Sequence, residues 1–78
     1  MNDKDIHSHI EQLVAEEHAL FEKGSTLTPA ERTRLGELQV QLDRYYDLLR
    51  QRRAKVEFGE DPSDAEMRSP KTVEGYLQ

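Results

Sequence analysis

Apolar residues recur three and four positions apart in two stretches of this chain, separated by Gly24-Ser25-Thr26-Leu27. In the first, Ile6, Ile10, Leu13 and Leu20 fall at spacings of four, three and seven, and Val14 and Phe21 widen the stripe. In the second, Leu35, Leu38, Leu42, Tyr45 and Leu49 keep the spacing of a heptad seam, which continues through Arg52 to Val56. This period belongs to helices with one apolar face, not to strands, whose side chains alternate. The spacing predicts an all-α chain with helices over about 3–23 and 29–57.

The ends of both helices carry their own signals. Asn2 or Asp3 can cap the first, and Asp3 and Asp5 suit the positive end of its dipole. Lys23-Gly24 stops it. Thr28-Pro29-Ala30-Glu31 starts the second: Thr28 caps, Pro29 loses nothing at the first helical position, and Glu31 completes a capping box. Gly59 and Pro62 end it.

So short a connection makes the two helices antiparallel. Hydrophobic and charged residues are each 35% of the 78, so the core of one hairpin is thin. A chain this small needs disulfides, a metal or a second subunit to hold itself together. It has no cysteine, which removes the first option and the commonest zinc sites. Tyr46, Leu48 and Val56 add apolar surface beyond what one hairpin buries, and the stripe broadens around Tyr45, Tyr46, Leu48 and Leu49. The economical arrangement is two hairpins in a four-helix bundle, a symmetric homodimer.

Residues 59–78 hold two of the three prolines and few apolar groups. The expected division is therefore a hairpin over 1–58 and a tail over 59–78, partly ordered at most. Asp61 and Ser69 precede Pro62 and Pro70 and can cap single helical turns. The alternative is that Val73, Tyr76 and Leu77 dock on a helix or on a partner.

The net charge of −5 is uneven: −4 over residues 1–24, +2 over 25–58 and −3 over 59–78. Arg50, Arg52, Arg53 and Lys55 form the basic cluster. At about 100° per residue these cations ring the helix and do not line one groove-facing edge. They also follow the heptads, whereas a basic arm of the zipper type precedes them, and no aromatic residue interleaves with them. In an antiparallel hairpin they come beside Asp3 and Asp5, which makes electrostatic pairing of the helices the leading reading. Contact with nucleic acid or with an acidic protein is the lesser one.

Glu17 interrupts the first stripe between Leu13 and Leu20, and Arg34 lies about opposite it; the pair is expected as a polar element of the seam that sets register. A perturbed carboxylate in a bundle interior is the functional alternative. His7 and Glu11 stand one turn apart and can form a two-ligand metal site, a weak one. His18 lies roughly 16 Å from His7 along the axis, too far to share an ion. No Glu-x-x-His occurs, which removes the diiron arrangement. Ser8 between His7 and His9 diverges from both by about 100° and offers no catalytic grouping. The chain is not expected to be an enzyme or to carry a cofactor.

The segments "IHSHIEQLVAEEHALFEKG", "LQVQLDRYYDLLRQRRAKVEFGEDP" and "TVEGYLQ" together resemble a family of short bacterial proteins, mainly actinobacterial, known only as a domain of unknown function. The resemblance covers nearly the whole chain and is most distinctive at "LDRYYDLLRQRRA" and "VEGYLQ". Members usually carry tryptophan where this chain has Phe21 or one of Tyr45 and Tyr46, which keeps the aromatic character. The resemblance implies a helical bacterial protein of the cytoplasm and supplies no activity, ligand or catalytic residue. No apolar run approaches the roughly 20 residues of a membrane span, and the first residues lack a signal-peptide layout. The reading is a self-associating module for protein interaction, with nucleic-acid association through the basic cluster and weak metal binding through His7 and Glu11 as alternatives.

Overall fold

The computed structural model describes residues 2–76, with side chains as far as residue 75. Helix α1 runs over Asp3–Glu22, α2 over Pro29–Glu57 and α3 over Pro70–Tyr76. Single 3-10 turns lie at Gly24–Thr26 and Pro62–Asp64, and there is no strand among the described residues.

Both long helices start with reciprocal caps. The Asn2 side chain accepts from the Asp5 amide at 2.8 Å while the Asp5 carboxylate accepts from the Asn2 amide at 3.5 Å. Thr28 and Glu31 repeat the arrangement at 3.1 and 3.0 Å. Each box satisfies two amides that the first helical turn leaves without partners. The end of α2 closes differently. The Gly59 amide donates to the Val56 carbonyl and the Glu60 amide to the Lys55 carbonyl, with Gly59 at φ 73°. That is a Schellman closure, and its left-handed position favours a residue without Cβ.

The helices pack antiparallel as a hairpin. Ile6, Ile10, Leu42 and Leu48 form the buried cluster, with Leu13, Val14, Tyr45 and Leu49 packed against it. Leu20 and Leu38 are also buried, and Leu35 is half-buried. With 29 residues against 20 in α1, α2 outruns its partner. Val56 therefore projects past the start of α1 and stays exposed, although it continues the seam.

The segment after Gly59 differs from the expected tail. Ala65 and Met67 pack against the hairpin cluster, and Val73 of α3 is buried. Leu48 of α2 thus meets Ile6 and Ile10 of α1 in a cluster that Ala65 and Met67 close from the C-terminal segment. The signal missed was polar: side chains of α2, among them Arg44, Asp47, Gln51 and Arg52, supply bonds that hold this segment. Leu77 and the side chain of Tyr76, also expected to dock, lie outside the described residues.

Nor is the molecule compact. Its radius of gyration is 14.6 Å, against about 11.5 Å for a typical domain of this length. Its extents are 49 × 26 × 14 Å, a slab one helix deep in its thinnest direction. No helix among the described residues is long and apolar enough to cross a membrane.

Candidate functional site

Docking of residues 60–76 on α2 decides which surface stays open. Gln51 Nε2 donates to the Glu66 carbonyl at 2.8 Å and to Asp47 Oδ2 at 2.9 Å. Arg44 Nε donates to the Arg68 carbonyl at 3.0 Å, and Arg52 Nη1 to the Pro62 carbonyl at 3.1 Å. Arg68 reaches back to Asp47 at 3.6 Å. Among the described residues Asp47 is the buried charge, 4% exposed. Nothing in the apolar spacing marked it, because its burial depends on a segment that carries few apolar residues. Further along α3, Glu74 meets Asp43 of α2. Burial, with a hydrogen bond to Asp43 and repulsion from it, pushes the Glu74 carboxyl above its usual value. Its Oε1 is buried with no hydrogen-bond partner among the described residues.

The basic cluster is mostly spent inside the molecule. Arg52 bonds Asp3 at 2.5 Å, Lys55 reaches Glu60 at 3.3 Å and Arg50 reaches Asp47 at 3.8 Å. Arg53 makes no ion pair among the described residues, and is exposed. The Asp3 contact ties the two helices together, as the uneven charge suggested; Asp5 instead caps α1.

The expected pair of Glu17 with Arg34 is corrected. Arg34 holds Glu16 with two hydrogen bonds, at 2.5 and 2.9 Å. These bonds hold the Glu16 carboxyl below its usual value and raise the Arg34 guanidinium. Neighbouring helical positions diverge by about 100°, so Glu16 and Glu17 leave α1 on opposite flanks of the seam. Glu16 turns to the flank where His9 stacks on Tyr45, ring centres 5.4 Å apart. Across the turn, Lys23 pairs with Glu31, holding that carboxyl down as well.

Glu17 turns to the other flank, which is open. There it lines a shallow groove of about 210 Å³ with Val14, Gln39, Leu42, Asp43 and Tyr46. His7, Val14 and Phe21 stand seven positions apart on α1, as do Gln39, Tyr46 and Arg53 on α2. Seven residues are nearly two turns, so each trio shares a face. At the start of α1 this flank runs into a cleft of about 290 Å³ with apolar walls from Leu49, Val56 and Pro62. Asp3, His7, Arg52 and Arg53 rim it. Phe21, Tyr46, Val56 and Phe58 stay 53, 43, 61 and 80% exposed. The apolar residues expected to serve core and interface are thus divided: Leu48 joins the core, while Phe21, Tyr46 and Val56 face outward.

His7 lies in the rim of that cleft and Glu11 is exposed. No cluster of three or more His, Asp or Glu that could hold a metal ion occurs among the described residues.

A family model described as "Protein of unknown function (DUF2630)" matches residues 2–78. The chain belongs to this family. Two DUF2630-like relatives are the "Uncharacterized protein Rv0898c" of Mycobacterium tuberculosis and the "Uncharacterized protein Mb0922c" of Mycobacterium bovis. Each is 42% identical over 77 residues, covering 95% of this chain and 88% of the relative. No solved structure matches this DUF2630 chain.

Proposed function

We propose that this DUF2630 protein is a non-enzymatic, self-associating interaction module, two hairpins pairing into a four-helix bundle that serves a protein partner. The observation that carries the reading is the exposure of Phe21, Tyr46, Val56 and Phe58 after residues 60–76 have docked. Single exposed apolar residues are ordinary in a monomer, but Val14 with Tyr46 on one groove and Leu49 with Val56 in the cleft beside it offer apolar surface to a partner. The total surface agrees: 5570 Å² for 9.1 kDa, against roughly 4,900 Å² from the scaling of folded monomers. A standard interface removes about 800 Å² from each partner, close to that surplus. The non-enzymatic part of the reading is supported by the polar groups of the cleft, since Arg52 and Asp3 are bonded to each other as a tie between helices.

Sedimentation equilibrium or light scattering on the pure protein tests this. A dimer that dissociates on dilution supports the reading, and a folded monomer throughout the micromolar range overturns it. Nucleic-acid association is the weaker reading, because three of the four clustered cations already pair within the chain. Titration with duplex and single-stranded oligonucleotides at low salt checks it, where phosphate contacts give a steep salt dependence. Zinc or nickel calorimetry checks the His7 and Glu11 alternative.

A further inference from the structure

We infer that the hollow beside Asp47 binds a nucleotide, with its terminal phosphate between Arg50 and Arg68 and its base on the exposed ring of Phe58. This site goes beyond the self-association reading and does not depend on it. Phe58 lies twelve positions after Tyr46, which at about 100° per residue turns it away from that open flank by roughly 120°.

Asp47, Arg50, Gln51, Ala54 and Arg68 line a hollow of about 350 Å³. Arg50 belongs to α2 and Arg68 to the segment docked on it, so the site exists only in the folded chain. Asp47 brings the two together: Arg50 stands 3.8 Å from one of its oxygens and Arg68 3.6 Å from the other. The carboxylate that steers them is buried, its side chain 6% exposed, whereas those of Arg50 and Arg68 are 64 and 38% exposed. Gln51 fixes the arrangement, donating to Asp47 at 2.9 Å and to the Glu66 carbonyl at 2.8 Å. A guanidinium carries five N–H groups in a planar fork, so the contact with Asp47 occupies only part of each. Ala54, one turn after Arg50, brings no more than a methyl group and leaves the hollow open.

Charge and shape choose the ligand. Two arginines against one buried acid leave a positive charge in surplus at this hollow, in a chain whose net charge is −5. Two forks at one hollow suit an anion with acceptor oxygens on several sides; a terminal phosphate has three, a carboxylate only two. A second hollow continues the first, sharing Gln51, Ala54 and Arg68 with it and reaching Phe58. The charges there, Lys55 and Glu60, pair with each other at 3.3 Å, so that end offers a ring and no surplus charge. Phe58 is 80% exposed and stands one turn past Ala54, roughly 6 Å along the helix axis. An open aromatic face so close to a phosphate seat fits a nucleobase, which stacks on such rings. Inorganic phosphate or an aliphatic ester would leave the ring unused.

Titration of the isotope-labelled full chain with adenosine monophosphate, inorganic phosphate and adenosine, followed by its amide NMR shifts, tests this. Adenosine monophosphate is expected to bind saturably, with shifts concentrated over residues 50–58 and 66–68. Phosphate is expected to act at Arg50 and Arg68 more weakly, and adenosine to compete poorly. Ala54→Leu fills the hollow with a good helix former and no change of charge, and is expected to weaken the nucleotide about tenfold. Phe58→Ser, at an exposed position, is expected to weaken the nucleotide about tenfold while leaving phosphate unchanged. No saturable shift with the nucleotide, shifts centred on other residues, adenosine binding as tightly as its monophosphate, or indifference to Ala54→Leu overturns the inference. A short single-stranded oligonucleotide without a terminal phosphate that binds these residues more tightly than the monophosphate overturns a free nucleotide as the occupant.

Discussion

Arg52 of α2 bonds Asp3 of α1 at 2.5 Å and, through another N–H, the carbonyl of Pro62 at 3.1 Å. One guanidinium therefore joins the start of the first helix, the last turns of the second and the segment beyond them. Its side chain is only 12% exposed, whereas that of Asp3 is 65% exposed. The two ends of this bond are thus unequal. Arg52→Ala removes the packed stem and both bonds and is expected to cost about 1–2 kcal/mol. Asp3→Ala is expected to cost less than about 1 kcal/mol. Urea unfolding of the two variants checks the ranking.

Asp47 gives a second prediction. Asp47→Ala removes the acceptor shared by Gln51 and Arg68 and is expected to cost about 2–3 kcal/mol. The loss is local. Hydrogen exchange resolved by residue is expected to show protection falling over residues 62–76 while α1 keeps its own. Equal loss throughout both regions would mean that the C-terminal segment is not a separate docking unit.

Acid acts on different carboxyl groups of the molecule in opposite directions. Glu16 and Glu31 have folded values below their ordinary 4.5, and Asp61, held by the Ser63 amide, lies below 3.8. Their ties contribute stability above those values and lose it as pH falls through the folded ones. Glu74 lies above 4.5, so its contribution is complete below 4.5 and is lost as pH rises through its folded value. Acidification is thus expected to loosen the Glu16 and Glu31 ties of the hairpin and the Asp61 turn while tightening α3 against Asp43. Exchange protection of α3 followed across the titration checks this, and Glu74→Gln is expected to flatten the dependence.

Two glycines are expected to respond oppositely to alanine. Gly36 lies within α2 with nothing inside 4 Å of an added Cβ, so Gly36→Ala is expected to stabilise by about 1 kcal/mol through helix propensity. Gly59 has equal room but φ 73°, so Gly59→Ala is expected to destabilise by about 1 kcal/mol. Thermal unfolding of the two variants gives the sign directly.

The hairpin was legible because its signals are local. Thr28-Pro29-Ala30-Glu31 and the three-four spacing of Leu35, Leu38 and Leu42 need nothing beyond neighbouring residues to be read, and the end expected for the first helix falls one residue beyond the observed Glu22. The docked segment was not legible in the same way. Pro62 and Pro70 read as interruptions, and the bonds that anchor residues 60–76 join side chains to carbonyl oxygens of Pro62, Glu66 and Arg68. Every residue carries such a carbonyl, so composition cannot reveal which of them are used. The partner of Arg34 failed for another reason: an antiparallel register read to within one residue cannot separate Glu16 from Glu17, and one residue on a helix changes the flank.

Leu48 sits in the cluster on which Ala65 and Met67 pack. A chain ended at Glu57 keeps both long rods and loses that cover. Such a shortened chain would lay bare Leu48 together with the acid of Asp47, and is expected to clump where the full chain stays dispersed.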